Sequence, residues 1–248
     1  MNNDTGIIIL AAGQGKRMGS ILPKVLVPMK GKPMIEYVLD AVDAIKCPRP
    51  YVVVGFGAEM VMKTLGSRAN YIHQTEQRGT GHAVETCKPI LENKFKNIVV
   101  LCGDMPFVTS ETIEQLIDAH RSAGAVLTMI TVEVTDFEDW RAPFMIFGRI
   151  VRSPIGQIEA IVEYKDCNED QKKIREVNPS FFCFDSKWLW ANIETIDKQN
   201  AQNEYYLTDL VSIARQHGDK IEIISADPKI AIGINTVEQL QKAEALIP

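Results

Sequence analysis

Residues 7–25 read IIILAAGQGKRMGSILPKV, and this stretch decides the fold. Its first four residues form an uninterrupted apolar run, the pattern of a strand buried on both faces. Two alanines and Gly13 follow, so the turn presents nearly bare backbone, and Gly15 removes a second Cβ from the same surface. Successive N–H groups in such a turn converge on an anion as a nest. Lys16, Arg17 and Lys24 then place three cations around it, in a chain whose formal net charge is −5. The cradle, not the whole molecule, attracts the anion. The stretch predicts a phosphate site at the end of a buried strand, held by the backbone of Leu10, Ala11, Ala12, Gly13 and Gly15.

Two familiar phosphate motifs are absent. Gly31-Lys32 is followed by Pro33, so there is no Walker A loop, and Met18 breaks the G-x-G-x-x-G dinucleotide fingerprint. The spacing G-x-G-x-x-x-G does occur, which leaves a nicotinamide-binding turn open, as it leaves an ordinary strand-to-helix turn with solvated lysines.

Outward from this turn, short apolar runs at 51–54, 71–73 and 98–101 alternate with helical periodicity at 33–45, 58–65 and 81–91. Apolar strands alternating with helices predict parallel pairing through right-handed crossovers, hence a doubly wound, mostly parallel α/β sheet of Rossmann-like type. After a helix at 110–123, strand-like stretches at 126–134, 145–151, 158–164 and 181–184 alternate less with helices. They predict an extended or antiparallel region over the ligand edge of the sheet. Segments 186–193, 207–216 and 236–246 read as helices, and 166–173 as a solvated loop.

Composition is that of an ordinary globular protein: 46% hydrophobic and 24% charged in 248 residues. With no linker, repeat or low-complexity tract, residues 1–248 are expected to form one domain. The start, MNNDTG, lacks a basic region and an apolar signal core, and no apolar run approaches about 18 residues. A cytoplasmic protein that avoids membranes is expected. Five cysteines without a C-x-x-C pair predict reduced thiols and no zinc. The mild, dispersed acidity lacks the basic stripe of a nucleic-acid binder.

Two further stretches carry chemistry. QTEQRGTGHA at 74–83 follows a strand and opens a helix. Gln74 and Gln77 both donate and accept, which suits a nucleobase edge, whereas a plain reading makes Thr80 a helix cap and His82 a helix-start residue. VVLCGDMP at 99–106 puts Asp104 just past a buried strand. A carboxylate there suits Mg2+, which takes one or two protein oxygens plus phosphate oxygens. The alternative is a turn aspartate bonded to its own backbone.

In order along the chain, LAAGQGKRM with Pro23-Lys24, QTEQRGTGHA, LCGDMP, FGRIVR at 147–152, IVEYKD at 161–166, NAQNEYYLTDL at 200–210 and GINT at 233–236 resemble the uridylyltransferase domain of bacterial N-acetylglucosamine-1-phosphate uridylyltransferases, within the sugar-nucleotidyltransferase superfamily. The resemblance implies an enzyme that joins a nucleoside triphosphate, UTP by preference, to a sugar-1-phosphate with release of pyrophosphate. It implies that the Leu10–Gly15 backbone, Arg17 and Lys24 hold the triphosphate, with Arg17 and Lys24 catalytic, and that Gln74, Gln77, Gly79 and Thr80 read uracil. It further implies that Asp104 and Asn235 bind Mg2+, and that Gly148, Glu163, Asn178 and Thr208 hold the sugar phosphate. These last four come from the resemblance alone; Glu163 and Thr208 otherwise pass for a surface acid and a helix cap. An NAD(P)-dependent oxidoreductase and a non-catalytic nucleotide-binding regulator are the alternatives.

Four departures stand out. The 248 residues carry no stretch that resembles the acetyltransferase half, so only the uridylyl half-reaction is expected of them; Lys16 replaces a small hydroxyl residue, Cys102 replaces an aromatic, and Pro179-Ser180 follows Asn178 in place of Thr-Gly. The donor side is thus expected to be intact and the acceptor side altered, with poor use of N-acetylglucosamine-1-phosphate.

Overall fold

A computed structural model describes residues 3–15, 18 and 21–246. The first half runs β1 (Thr5–Ala11), the short hairpin β2 (Pro28–Met29) and β3 (Lys32–Pro33), α1 (Met34–Ala44), β4 (Tyr51–Val54), α2 (Ala58–Leu65), β5 (Asn70–His73), α3 (Thr80–Glu85), α4 (Lys88–Leu91), β6 (Asn97–Cys102) and α5 (Ser110–Ala123). The second runs β7 (Leu127–Glu133), β8 (Gly148–Arg152), β9 (Ile158–Val162), β10 (Glu176–Asn178), β11 (Phe182–Asp185), α6 (Ser186–Asn192), α7 (Asp209–His217), β12 (Ile221–Ala226) and α8 (Val237–Glu244).

Ten strands make one mixed sheet in the order β5-β4-β1-β6-β11-β7-β10-β8-β9, with β12 beside β7. The first four pair in parallel through helical crossovers. From β6 onward the path is antiparallel, so the extended region expected from the sequence continues the same sheet.

Alternate residues of β1 enter different cores. Ile7, Ile9 and Ala11 pack with Met34, Val38 and Val42 of α1, Val61 of α2 and Leu116 of α5. Ile8 packs on the other face with Val84 of α3, Leu91 of α4, Trp190 of α6 and Leu210 of α7. Ile7, Ile8 and Ile9 are all fully buried, which is why the run shows no alternation of polarity. Truncating one of them to alanine costs about 2–5 kcal/mol.

Three local differences from the expected elements have physical causes. The helix expected at 81–91 is two short ones, because Pro89 has no N–H with which to continue the ladder. Residues 139–146 form a 3-10 turn ahead of β8, gathered around the fully buried Arg149. The Arg149 guanidinium donates to the carbonyl of Met145 at 2.8 Å and to those of Phe144, Phe147 and Lys172. It also lies over the rings of Phe137 and Tyr164. Lastly, β10 and β12 are strands that periodicity does not mark. β10 has only three residues, and β12 is half-buried along most of its length.

β10 and β11 act as one bulged strand. Val177 opposes Val132 and Phe182 opposes Met129, so residues 178–181 stand across from residues 130–131 alone. Extra residues on one strand bend it and re-aim its side chains, and a bulge also tolerates a proline inside a sheet. Before the bulge the other edge pairs with β8; after it, with β6.

Candidate active site

A cleft of about 310 Å³ opens at the carboxyl ends of β1, β4, β5 and β6, lined by Leu10, Ala11, Ala12, Gly13, Lys24, Gln74, Gln77, Gly79, Thr80 and Asp104 among others. This is where open α/β sheets bind ligands. A second hollow, of about 1020 Å³, lies at the opposite strand ends. There Lys88, Lys94, Lys96 and Lys187 are matched by Asp4, Glu92, Asp185 and Glu194, so no net charge converges on it.

The two glycines of the first turn do different things. A Cβ on Gly13 would meet nothing within 4 Å, so its bare Cα faces the open cleft. Gly15 has φ +65, and a Cβ there would lie 2.5 Å from the Lys24 Cβ. Gly15 therefore seats the stem of Lys24, a role beyond the one its sequence context suggests. Arg17, like Lys16, lies outside the described residues.

The Lys24 ammonium pairs with the Asp104 carboxylate and donates to Asn235 Oδ1 at 2.7 Å. The backbone fixes these partners: Gly103 N–H donates to the Leu10 carbonyl at 2.9 Å and Ile234 N–H to the Asp104 carbonyl at 3.2 Å. Residues 80 or more positions apart in sequence thus aim two hard oxygens at one cation. Among the described residues no three His, Cys, Asp or Glu side chains gather into a metal cluster. The donor set suits a divalent ion that draws its remaining ligands from phosphate oxygens and water. Burial, reinforced by the Asp104 charge, pushes the neighbouring Cys102 thiol up, so it lines the cleft as a thiol and not as a nucleophile.

The segment at 74–80 is braced from within. Gln74, 3% exposed, donates from Nε2 to the Gly79 carbonyl at 3.1 Å and lies 3.0 Å from His82 Nδ1. Gln77 Nε2 donates to the Gln74 carbonyl at 3.0 Å. The donor ends of both glutamines are thus engaged within the loop, and both residues line the cleft. Gly55, which the sequence reading passed over, makes room for Gln77: a Cβ there would lie 2.6 Å from its Nε2. Gly79 takes φ +110 because the Tyr205 carbonyl would sit 2.4 Å from any Cβ. Thr80 caps no helix; its hydroxyl accepts from Leu207 N–H at 3.0 Å.

That bond leads to the second group. Thr208 is buried, and its hydroxyl donates to Glu163 Oε1 at 3.0 Å. Asn178 pairs with Gly148 across β10 and β8, and the Cα of Gly148 faces Glu163, whose Oε1 would lie 3.4 Å from a Cβ. Register and this contact bring Gly148, Glu163, Asn178 and Thr208 together from four separate elements. Burial pushes the half-buried Glu163 up to about 7, against the Thr208 bond and with help from Asp209, Asp166 and Glu204. Glu163 is thus no plain surface acid, and Thr208, which stands at the N-cap position of α7, gives its hydroxyl to Glu163 and not to the helix.

Residues 7–200 match the MobA-like NTP transferase domain. The chain belongs to that family. It is 42% identical over 239 residues to the bifunctional protein GlmU of Shouchella clausii, and 43% identical over 241 residues to that of Heliobacterium modesticaldum. These alignments cover 96% and 97% of this chain and 51% of each relative, so the chain spans about half the length of the curated relatives it matches. In fold it is similar to a putative glucose-1-phosphate thymidylyltransferase from Bacillus anthracis, crystallised with a sucrose. The TM-score is 0.75 at 20% identity, over 98% of this chain and 94% of that one.

Proposed function

We propose that the chain is a sugar-1-phosphate nucleotidyltransferase, using UTP and Mg2+ to make a UDP-sugar and pyrophosphate, and that it acts in the cytoplasm as a single domain. The observation that carries this reading is the convergence of Asp104 and Asn235 on one cation beside the bare Leu10–Gly13 backbone. The GlmU relatives and the absence among the described residues of any helix long and apolar enough to cross a membrane agree with it.

The reaction needs no side-chain nucleophile. An oxygen of the sugar phosphate attacks the α-phosphorus in line; the new P–O bond forms as the bond to the α,β-bridging oxygen breaks, and pyrophosphate leaves with that electron pair. Catalysis is then positioning plus neutralisation of charge between two polyanions. Asp104 and Asn235 would hold Mg2+, which when bound neutralises charge on phosphate oxygens. Lys24 gives up those two partners and turns its ammonium to the phosphates, its stem kept in place over Gly15. Arg17 is assigned the same work from sequence. The Gly13 turn offers N–H groups to the triphosphate, and the amide oxygens of Gln74 and Gln77 suit the N–H edge of uracil. Gly148, Glu163, Asn178 and Thr208 hold the sugar.

The test is pyrophosphate release with UTP, Mg2+ and a panel of sugar-1-phosphates. Turnover abolished by chelation and restored by Mg2+ supports the reading. Nucleotide binding without turnover on any sugar phosphate overturns it.

A further inference from the structure

Ser180 sits at the point where one strand changes partners, and its conformation is unusual. It is a non-glycine residue at φ +62, a region L-residues other than Asn and Asp seldom visit. Two bonds hold it. The Ser180 N–H donates to Asn178 Oδ1 at 3.0 Å, and Asn178 Nδ2 donates to the Ser180 hydroxyl at 3.4 Å. The first bond fixes which end of the carboxamide is oxygen, so the amide donor must face the hydroxyl. Asn178 is 3% exposed whereas Ser180 is half-buried. A ligand at this junction therefore meets the serine before the asparagine.

The consequence is steric. A Cβ on Gly148, opposite Asn178, would meet Ile161 Cγ2 at 2.7 Å and Glu163 Oε1 at 3.4 Å, so this face is already filled. Ser180 then puts its own Cβ and hydroxyl in front of Asn178, where glycine would leave open space. A small amine or hydroxyl substituent adds little bulk there. An acyl group adds bulk where the serine already stands.

We infer that Ser180 sets acceptor selectivity, favouring a sugar-1-phosphate with a free amine or hydroxyl over an N-acylated one. This rests on the transferase reading above. Ser180 acts partly through Asn178 and is a positioning and specificity residue, not a catalytic one.

The experiment compares kcat/KM for glucosamine-1-phosphate, glucose-1-phosphate and N-acetylglucosamine-1-phosphate, with UTP, in the wild type, Ser180→Gly and Ser180→Ala. Glycine removes hydroxyl, Cβ and backbone strain together, whereas alanine removes the hydroxyl alone. The wild type should favour an unacylated sugar. Ser180→Gly should raise the ratio for the N-acetyl sugar over the unacylated ones by about 10-fold or more, mostly through KM, as expected for an interaction made in both ground and transition states. Thermal unfolding of both variants reports folding separately from selectivity. A wild-type preference for the N-acetyl sugar, or a ratio unmoved by both substitutions, overturns the inference while leaving the transferase standing. Absence of turnover on all three sugars removes the transferase reading, and this inference with it.

Discussion

The donor-side and acceptor-side groups are built from different materials. On the proposed donor side, backbone and the Lys24 ammonium meet at the carboxyl ends of parallel strands, and the key contacts run through main-chain atoms, as from Gly103 to Leu10. On the proposed acceptor side, three side chains and a bare glycine from four elements meet only because the antiparallel register aligns Asn178 with Gly148 and a loop brings Thr208 to Glu163. A backbone cradle tolerates little variation in the few residues that form it. A wall of side chains can be re-specified by one residue, such as Ser180, without disturbing the cradle. Chemistry held in common and selectivity that varies can thus occupy one fold.

The sharpest test of this division is Asp104→Asn, expected to lower kcat by about 10²- to 10³-fold, since electrostatic stabilisation dominates this reaction type. Sugar selectivity should be unchanged, and near-normal Mg2+-dependent turnover would remove the metal assignment. Lys24→Met comes next, with a fall in kcat of about 10²-fold that exceeds any loss in UTP binding. The same variant should bind Mn2+ about 10-fold or more tightly without nucleotide, because a positive charge beside Asp104 is gone. Electron paramagnetic resonance of free Mn2+ reads this directly, and unchanged metal affinity would mean that the lysine and the ion do not compete.

Two glycine substitutions separate ligand surface from scaffold within the donor side. Gly13→Ala should leave the melting temperature alone and weaken UTP binding by about 10-fold, the effect of one extra methyl in a fitted cradle. Gly15→Ala should destabilise the protein by about 1–3 kcal/mol, through positive φ and the clash with Lys24. Calorimetric unfolding and titration together decide both, and the reverse pattern would exchange the two roles.

The smallest effect concerns Glu163. Its folded-state value of about 7 lies above that of an unfolded carboxylate. The folded protein therefore holds a proton that the unfolded chain has lost, and wild-type stability should fall as pH rises from about 4.5 to about 7. Glu163→Gln keeps an oxygen for Thr208 and should flatten that slope, matching the wild type near pH 4.5 and melting higher at pH 8. Identical melting profiles from pH 4.5 to 8 would show that the carboxylate ionises as freely as in water.

The donor side was legible because its signals are local. The run at 7–10, the glycines after it and the aspartate after β6 each declare themselves within a few residues. The seating of Lys24 by Gly15 is not legible in sequence, because a glycine that accommodates a distant side chain looks the same there as one that faces a ligand. Gly55 was missed for the same reason, as its partner Gln77 is 22 positions away. Gly148, Glu163, Asn178 and Thr208 carry no local pattern, and only resemblance to a family pointed to them. β10 and β12 escaped because short or half-buried strands do not alternate cleanly. The offset between β10 and β11 emerges only when both are laid against β7.

Arg149 gives the acceptor side a further property. Among the described residues no carboxylate bonds its guanidinium; peptide carbonyls from residues 144, 145, 147 and 172 stand in for the water it would have had outside. It is in effect an ion in a solvation shell made of main chain, and forming that shell draws the 139–146 turn, β8 and the loop before β10 around one point. The free energy by which water would reclaim an ion weakens on heating, while the return on apolar burial levels off. This part of the molecule therefore adds to its apolar packing, with Phe144 and Phe147 buried beside the guanidinium, a solvation equilibrium that warmth favours.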